Sequence, residues 1–355
     1  MICPVIGTFA AELYEGVGPV DPSISMTDAA LAGMRHVLDL TPDDTVLVVS
    51  DTVTIRCAQA FLVAAAQHGC EVTHYRLPEA DRPLQKMPAD MKHLPGPATV
   101  VVNAITGDER EIPFRLAWLF KLEATPGLRL GHSPGITEEM LEAGPLNVDY
   151  AAMQRRAAVL HAGFRDAAAA HITTPGGTDL RLDLRGRRLV DDLKAVPGTG
   201  TNLPCGEVYC CPVEDGASGT LVVDGCYGTR GVVPDPVHFT VRDGQVVAVE
   251  SDSLPTRDHI RELMDADDGA RTIAELGIGL NEGARLSDNI LEAEKALSTA
   301  HLAFGSNQGM PGGRNTSATH IDYLIHRPTI AVEAEDGTLR TVLRDGMVEG
   351  YSPEA

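Results

Sequence analysis

Aromatic residues are scarce in this chain: they make up 4% of its 355 residues, with a single tryptophan. Because 43% of the residues are nevertheless hydrophobic, aliphatic side chains and alanine must fill the interior. Basic residues are also few, 29 Lys and Arg against 50 Asp and Glu, which gives a net charge of −21. Proteins that bind nucleic acid or anionic lipid present Lys/Arg patches, so this deficit argues against both kinds of partner.

Long apolar runs and paired cysteine motifs are absent as well. No stretch approaches the roughly 18 apolar residues of a membrane helix, and the N-terminal MICPVIGTFAAELYEG lacks the basic start of a signal peptide. Seven cysteines without a C-x-x-C spacing indicate reduced thiols, so we expect a cytoplasmic protein. Cys210 and Cys211 are adjacent and would face opposite ways on a strand, so we interpret them as small apolar fillers.

The first half of the chain alternates strand and helix patterns. Such alternation predicts a parallel sheet with helices packed on it, as in a Rossmann-like α/β domain. A long alanine-rich helix from about 149 to 170 is predicted to close this domain. The predicted strands are 45–51, 71–77 and 98–106, and the predicted helices are 27–40, 55–69 and 114–125.

The second half has a different sequence pattern, in which short runs of alternating apolar and polar residues are separated by Gly, Pro and Asp-Gly turns. This pattern predicts hairpins, and therefore a β-rich α+β domain. One helix is predicted over 286–305, with Ser287 as its N-cap and Gly305 as its C-terminal stop. At 355 residues a division into two domains is expected, and we place them at 1–167 and 168–355.

Four places in the second half put a carboxylate or an imidazole beside apolar residues. His320 and Asp322 are two apart in SATHIDYLI, so on a strand they would project to the same face. Glu207 opens a strand pattern directly after Pro-Cys-Gly, and Glu275 lies in the apolar segment TIAELGIGL, where burial without a partner would be costly. The fourth is His301, which shares the predicted helical stripe with the apolar residues Ile290, Leu297 and Phe304.

Each of these residues also has a purely structural interpretation. Glu207 could face solvent, His301 could be a core histidine bonded to backbone, and His320 with Asp322 could be a mutual pair. Together, however, three carboxylates and two imidazoles are the donors that Zn²⁺, Co²⁺, Mn²⁺ or Fe²⁺ accept. Five ligands exceed what one catalytic metal takes, so the set predicts a pair of cations about 3.5–4 Å apart.

The segments NLPCGEVYCCP, AELGIGLN, AHLAFGSN and ATHID resemble, in this order, motifs of the aminopeptidase T / aminopeptidase S family of dinuclear metallopeptidases. The resemblance implies a Rossmann-like first domain, a β-rich catalytic domain, a homodimer and two divalent ions such as Zn, Co or Mn. Carried over residue by residue, the metal ligands fall on five positions. These are Glu207, Glu275, His301, His320 and Asp322.

Two features differ from that family. It carries a tyrosine shortly after the first metal histidine, where this chain reads LAFGSNQGMPGGRN, and the segment between His301 and His320 is short. The short glycine-rich segment before His320 resembles 2,5-dihydroxypyridine 5,6-dioxygenase, a ring-cleaving relative with one iron. In that pattern a histidine takes the position of Glu275, and the positions of Glu207 and His301 are not ligands.

The favoured hypothesis is a metal-dependent amide hydrolase, most simply an aminopeptidase acting on short peptides, with Glu207 and Glu275 as its catalytic carboxylates. Arg314, in the loop before His320, is a candidate for binding a substrate carboxylate, although a solvated arginine is the simpler interpretation. One alternative is a mononuclear Fe(II) ring-cleaving dioxygenase. Another is a relative that binds metal or a small molecule without this catalysis.

Overall fold

The computed structural model describes residues 2–5 and 24–352. Most of the N-terminal segment judged above for a signal peptide lies outside the described residues. Within them, two compact units are formed. The first contains the residues up to Val148 together with Asp192–Cys205, and the second contains Asp149–Asp191 and the residues from Gly206 onward.

The first unit contains a six-stranded sheet with the order β1-β3-β2-β4-β5-β9. All neighbouring strands in it are parallel except β1, which pairs antiparallel with β3. Its elements are β1 Ile2–Val5, α1 Ile24–Val37, β2 Thr45–Ser50, α2 Ile55–His68, β3 Glu71–Arg76, β4 Val100–Ile105, α3 Ile112–Glu123, β5 Arg129–Pro134, α4 Glu138–Glu142 and β9 Thr199–Asn202. Every side chain of β4 is buried, as expected for a parallel strand that has helices on both faces.

The second unit contains two antiparallel sheets, of five strands (β16-β15-β14-β10-β8) and eight strands (β13-β12-β11-β7-β6-β17-β18-β19). Its helices are α5 Tyr150–Gly163, α6 Leu254–Met264 and α7 Ile290–Ala293. Its strands are β6 Ala167–Thr173, β7 Asp179–Asp183, β8 Val190–Asp191, β10 Glu207–Cys210, β11 Ala217–Val223, β12 Val237–Arg242, β13 Gln245–Glu250, β14 Ile273–Gly279, β15 Thr299–Gly305, β16 His320–His326, β17 Thr329–Ala334, β18 Leu339–Arg344 and β19 Met347–Val348. Short 3₁₀ turns occur at Glu79–Asp81, Ala89–His93, Glu109–Glu111 and Gly228–Arg230.

Aromatic side chains join the two sheets of the second unit. Phe239 of β12 makes edge-to-face contacts with Phe304 of β15 and Tyr323 of β16, with ring centroids 6.0 and 4.9 Å apart. Such pairs add to the stability gained by burying the rings. One face of the five-stranded sheet is therefore committed to the core, and the chemistry described below lies on the other.

The predicted α/β character of the first half and β-rich character of the second are confirmed, but one predicted helix is wrong at its C-terminal end and another over most of its length. The helix predicted over 149–170 ends at Gly163, and Ala167–Thr173 forms strand β6. Asp166 between them has a left-handed backbone (φ 55°), and β6 pairs with β17 on one side and β7 on the other. Cross-strand partners distant in sequence thus override the helix propensity of alanine.

The helix predicted over 286–305 is also wrong. Only Ile290–Ala293 is helical, with Asn289 rather than Ser287 at its N-cap, and Thr299–Gly305 forms strand β15. Every side chain of β15 is buried. A strand covered on both faces reads as a continuous apolar run, which periodicity alone does not separate from a buried helix.

The bounds of the compact units differ from the boundary predicted at 167/168. Helix α5 belongs to the second unit, where its Arg156 donates to the Leu280 carbonyl oxygen and pairs with Glu282. Residues 192–205 return to the first unit and supply β9, which pairs with β5. The assignment of separate functions to two domains stays a prediction.

No helix among the described residues is long and apolar enough to cross a membrane. The six described cysteines are buried and form no disulfide: Cys57, Cys70, Cys205, Cys210, Cys211 and Cys226. Burial raises the pKa of the Cys211 thiol to about 11, which disfavours the thiolate that would bind metal or attack a substrate.

Candidate metal centre

The five candidate ligands lie on four neighbouring strands of the five-stranded sheet. Glu207 begins β10, Glu275 lies in β14, His301 in β15, and His320 and Asp322 in β16. Directly paired residues of antiparallel strands share a face. The pairs Glu207↔Gly279, Glu275↔Ala303, Gly277↔His301, Ala303↔Asp322 and Gly305↔His320 therefore place all five side chains on one side.

Small residues occupy the positions between these ligands. A Cβ atom added at Gly277 would lie 2.0 Å from His301 Nε2, so only glycine leaves room for the imidazole above the sheet. An added Cβ at Gly279, which is paired with Glu207, would lie 2.1 Å from the Ala296 carbonyl oxygen. The glycines of LGIG thus accommodate a ligand side chain and a close backbone approach.

The side chains form two groups that share Glu275. One consists of Glu207, Glu275 and His301, the other of Glu275, His320 and Asp322, and within each group one donor atom per residue lies within 4.8 Å of the others. His301 Nε2 is 3.4 Å from Glu207 Oε2 and 3.5 Å from Glu275 Oε1. His320 Nε2 is 3.3 Å from Glu275 Oε2 and 3.5 Å from Asp322 Oδ1. Glu275 therefore points one oxygen at each histidine.

Burial and charge perturb these groups strongly. Desolvation alone would lower the pKa of His301, but its hydrogen bond with Glu275 and the charges of Glu207 and Asp322 raise that pKa to about 10. Desolvation alone would raise the pKa of Asp322, but the hydrogen bond and charge of His320 lower that pKa to about 2. The carboxylates thus produce a field that strongly favours positive charge on this face.

The residues present fit divalent cations. The Ser306 carbonyl oxygen can only accept a hydrogen bond, so His320 Nδ1, 2.6 Å away, carries the proton and donates it. Nε2 is then the ring nitrogen that faces Glu275 and Asp322 and is left for a metal, which is how metal-binding histidines are generally oriented. Carboxylate oxygens and imidazole nitrogens without thiolates suit Zn²⁺, Co²⁺, Mn²⁺ or Fe²⁺.

Sequence reasoning missed a lysine and a glutamate beside this centre. Lys295 is fully buried, and its Nζ lies 2.9 Å from Glu207 Oε1 and also contacts Glu294 Oε1. Desolvation raises the pKa of Glu294 to about 7. The only sequence signal was a charged Glu-Lys pair in a stretch interpreted as an amphipathic helix, where such a pair would be expected to face solvent.

Arg314 lies on the loop that links β15 to β16, and its side chain is exposed. Its backbone N–H donates to Glu214 Oε1, 2.8 Å away, while Glu214 also pairs with Arg187 at 2.6 Å. Arg187 in turn contacts the Gly312 carbonyl oxygen of the same loop. These contacts hold the short loop in place, and they engage the backbone of Arg314 rather than its guanidinium group.

Comparison with known proteins gives a family match over the residues that build this centre. The model of the thermophilic metalloprotease (M29) family matches residues 149–348, more than half of the chain. Aminopeptidase 2 of Geobacillus stearothermophilus is 26% identical over 164 residues, which cover 41% of this chain and 39% of that protein. Aminopeptidase T of Thermus aquaticus is 26% identical over 165 residues, again 41% of this chain and 39% of the relative. The chain thus spans well under half the length of the curated relatives it matches.

Two solved structures share the fold over nearly their whole length. A 2,5-dihydroxypyridine dioxygenase from Pseudomonas putida KT2440 has a TM-score of 0.70 and 18% identity, covering 92% of this chain and 97% of that one. Wild-type AmpT from Thermus thermophilus has a TM-score of 0.68 and 19% identity, covering 92% and 99%. At these identities the likeness concerns the fold alone, and the two folds do not separate a hydrolase from an oxygenase.

Proposed function

Because this chain belongs to the thermophilic metalloprotease (M29) family, we propose that it is a metal-dependent hydrolase of amide bonds, most simply an aminopeptidase. The proposal rests on one observation: Glu275 belongs to both of the carboxylate–imidazole groups. Metal pairs that act together in hydrolysis lie about 3.5–4 Å apart, a separation that one bridging carboxylate can span.

The proposed ligands are divided between two divalent ions, Zn, Co or Mn. Glu207, Glu275 and His301 would hold one ion, and Glu275, His320 and Asp322 the other. When bound, such ions supply a water-derived nucleophile near neutral pH and polarise a carbonyl group. The absence of a cysteine among these residues agrees with hydrolytic rather than structural zinc chemistry.

Glu207 and Glu275 are the proposed catalytic carboxylates, since both lie among the ligands and are only 6% exposed. The negative charge of −21 would attract the ammonium group of a short peptide and repel nucleic acid. Arg314 is exposed on the loop that precedes His320, where its guanidinium group could bind a substrate carboxylate. We also propose that the protein is cytoplasmic and that it forms a homodimer. Light scattering of the purified protein would test the dimer, which predicts a doubled mass.

The alternative is a ring-cleaving dioxygenase with one Fe(II), favoured by the shared fold. Non-haem iron oxygenases of this type hold the metal with two histidines and one carboxylate. Here the group around Asp322 contains one histidine, His320, and two carboxylates. This donor set supports the hydrolase.

Metal content decides between these functions. The hydrolase predicts about two Zn, Co or Mn per chain and cleavage of leucine p-nitroanilide, whereas one iron with oxygen uptake would support the dioxygenase. Protein that holds no metal after reconstitution would contradict both functions.

The Glu275→Ala variant tests the shared ligand. We expect it to lose both ions and all activity while its circular dichroism is retained, because each ion loses a ligand. Glu333→Ala, which removes a surface partner of Arg181, is the matched control and should keep both ions. Retention of both ions by Glu275→Ala would contradict the proposed ligand set.

A further inference from the structure

Lys295 follows helix α7 and is buried completely, with 0% of its side chain exposed. Its ammonium group lies 2.9 Å from Glu207 Oε1 and contacts Glu294 Oε1. An ammonium group is costly to bury unless carboxylates compensate its charge. The two glutamates supply that compensation, and one of them is a proposed metal ligand.

The two carboxylate oxygens of Glu207 therefore face different partners. Oε1 accepts from Lys295, while Oε2 lies 3.4 Å from His301 Nε2. Glu275 is placed differently, with its oxygens 3.5 Å from His301 and 3.3 Å from His320. Glu207 therefore offers one oxygen toward an ion at His301, and that oxygen belongs to a carboxylate already sharing its charge with a lysine.

We propose that Lys295 makes the two halves of the metal centre unequal, so that the ion held by Glu207 and His301 binds more weakly and exchanges faster. Two physical effects act in this direction. The ammonium group repels a dication held by the same carboxylate, and its hydrogen bond makes Glu207 a poorer electron donor. In the half formed by His320 and Asp322 the carboxylate oxygens face imidazole groups, and Lys295 acts on Asp322 through its charge, whereas it is hydrogen-bonded directly to Glu207.

Glu294 belongs to the same cluster of charged groups as Lys295 and Glu207. It contacts Lys295, and its side chain is only 14% exposed, so its charge offsets part of the ammonium charge at a pH above its raised pKa. Replacing Glu294 by glutamine leaves Lys295 with less compensation beside Glu207. Replacing Lys295 by methionine, which is similar in length, frees Glu207 Oε1 of its cation. The two substitutions should therefore change the affinity for the second ion in opposite directions.

The inference rests on the proposed two-metal centre and is tested by titrating the metal-depleted full-length protein with Co²⁺. Calorimetry and the visible absorption of bound Co²⁺ report each binding event independently of activity. We expect two events that differ at least tenfold in Kd. Lys295→Met should tighten the weaker event at least tenfold, and Glu294→Gln should weaken it. Lys194→Met is the matched control, because Lys194 pairs with Asp39 at the surface, and it should change neither event.

The double variant K295M/E294Q removes both charges and remains informative if Lys295→Met alone does not fold. It should bind the second ion more tightly than wild type. Equal affinities in wild type, or a weaker event that K295M/E294Q leaves unchanged or loosens, would overturn the inference while the two-metal hydrolase stands. A wild-type protein that binds no Co²⁺ would instead contradict the proposed function itself.

Discussion

Gly277 carries a hydrogen atom where alanine would carry a methyl group, and this difference leaves room for the His301 imidazole. The two residues are directly paired across β14 and β15, and both strands are buried. Protein interiors are close-packed, so an extra methyl group between buried strands displaces a neighbouring side chain. At the scale of residues, ligand geometry thus depends on a glycine that offers no donor atom of its own.

The Gly277→Ala substitution should displace the imidazole, because its Cβ would lie 2.0 Å from His301 Nε2. We expect metal affinity to fall about 10–100-fold and stability to fall by about 1–3 kcal/mol. Calorimetric metal titration and urea unfolding would measure the two effects. Gly107→Ala, whose Cβ would meet its nearest atom at 3.4 Å, is the control. Unchanged metal affinity in Gly277→Ala would contradict the packing argument.

At the scale of elements, the strand order of the parallel sheet reverses at β2, which lies between β3 and β4. Open α/β sheets commonly bind ligands at this position. Here protein groups fill it: Asp51 after β2 accepts from the Thr106 backbone after β4 and pairs with Arg82 at 2.7 Å. Arg82 also makes a two-pronged contact with Glu111. The network joins the carboxyl ends of two strands to the helix that follows.

Removal of Arg82 should destabilise the first unit, because Asp51 and Glu111 are 0% and 1% exposed and would lose their counter-ion. We expect Arg82→Met to lower the free energy of unfolding by about 3–5 kcal/mol. Urea unfolding followed by fluorescence would measure this, since the only tryptophan, Trp118, is buried in the same unit.

The control for that prediction is Arg110→Met. Arg110 pairs with Asp108 but is 71% exposed, so its loss should cost about 1 kcal/mol or less. An equal effect of the two substitutions would show that the buried network does not stabilise the unit.

At the scale of the whole molecule, metal chemistry and the family match coincide in one compact unit. All five proposed ligands belong to the second unit, and so do Lys295 and Glu294. Of the matched residues 149–348, only 192–205 belong to the first unit. Metal binding should therefore stabilise one unit directly through mass action on its folded state.

Chelation of bound metal should lower the thermal transition of the second unit without moving that of the first. At a metal concentration of about 100 times Kd each bound ion stabilises the unit by about 2.7 kcal/mol, or roughly 5–10 °C per ion for a unit of this size. Calorimetry with and without EDTA would report the shift, and Trp118 fluorescence would report the first unit alone. An equal shift of the fluorescence transition would contradict this assignment.

The sequence by itself determined the chemistry of the donors and much of the local structure. Alternation in HIDYLI correctly placed His320 and Asp322 on one face of a strand, and the strand at Glu207 was predicted from its first residue. The short buried strands and helices of the first half were predicted within a few residues, because hydrophobic periodicity is a local property. The resemblance to a metallopeptidase family likewise rested on these short motifs.

Tertiary structure alone decided the remaining features. His301 lies on a strand because β14 and β16 supply hydrogen-bond partners on both sides, and such partners are far away in sequence. The same pairing brings Gly277 under the imidazole, and the chain after α7 carries Lys295 into contact with Glu207. Strand β9, with the sequence TGTN, becomes a strand because β5 offers it an edge. These outcomes depend on which distant segments meet, a property that neither periodicity nor propensity encodes.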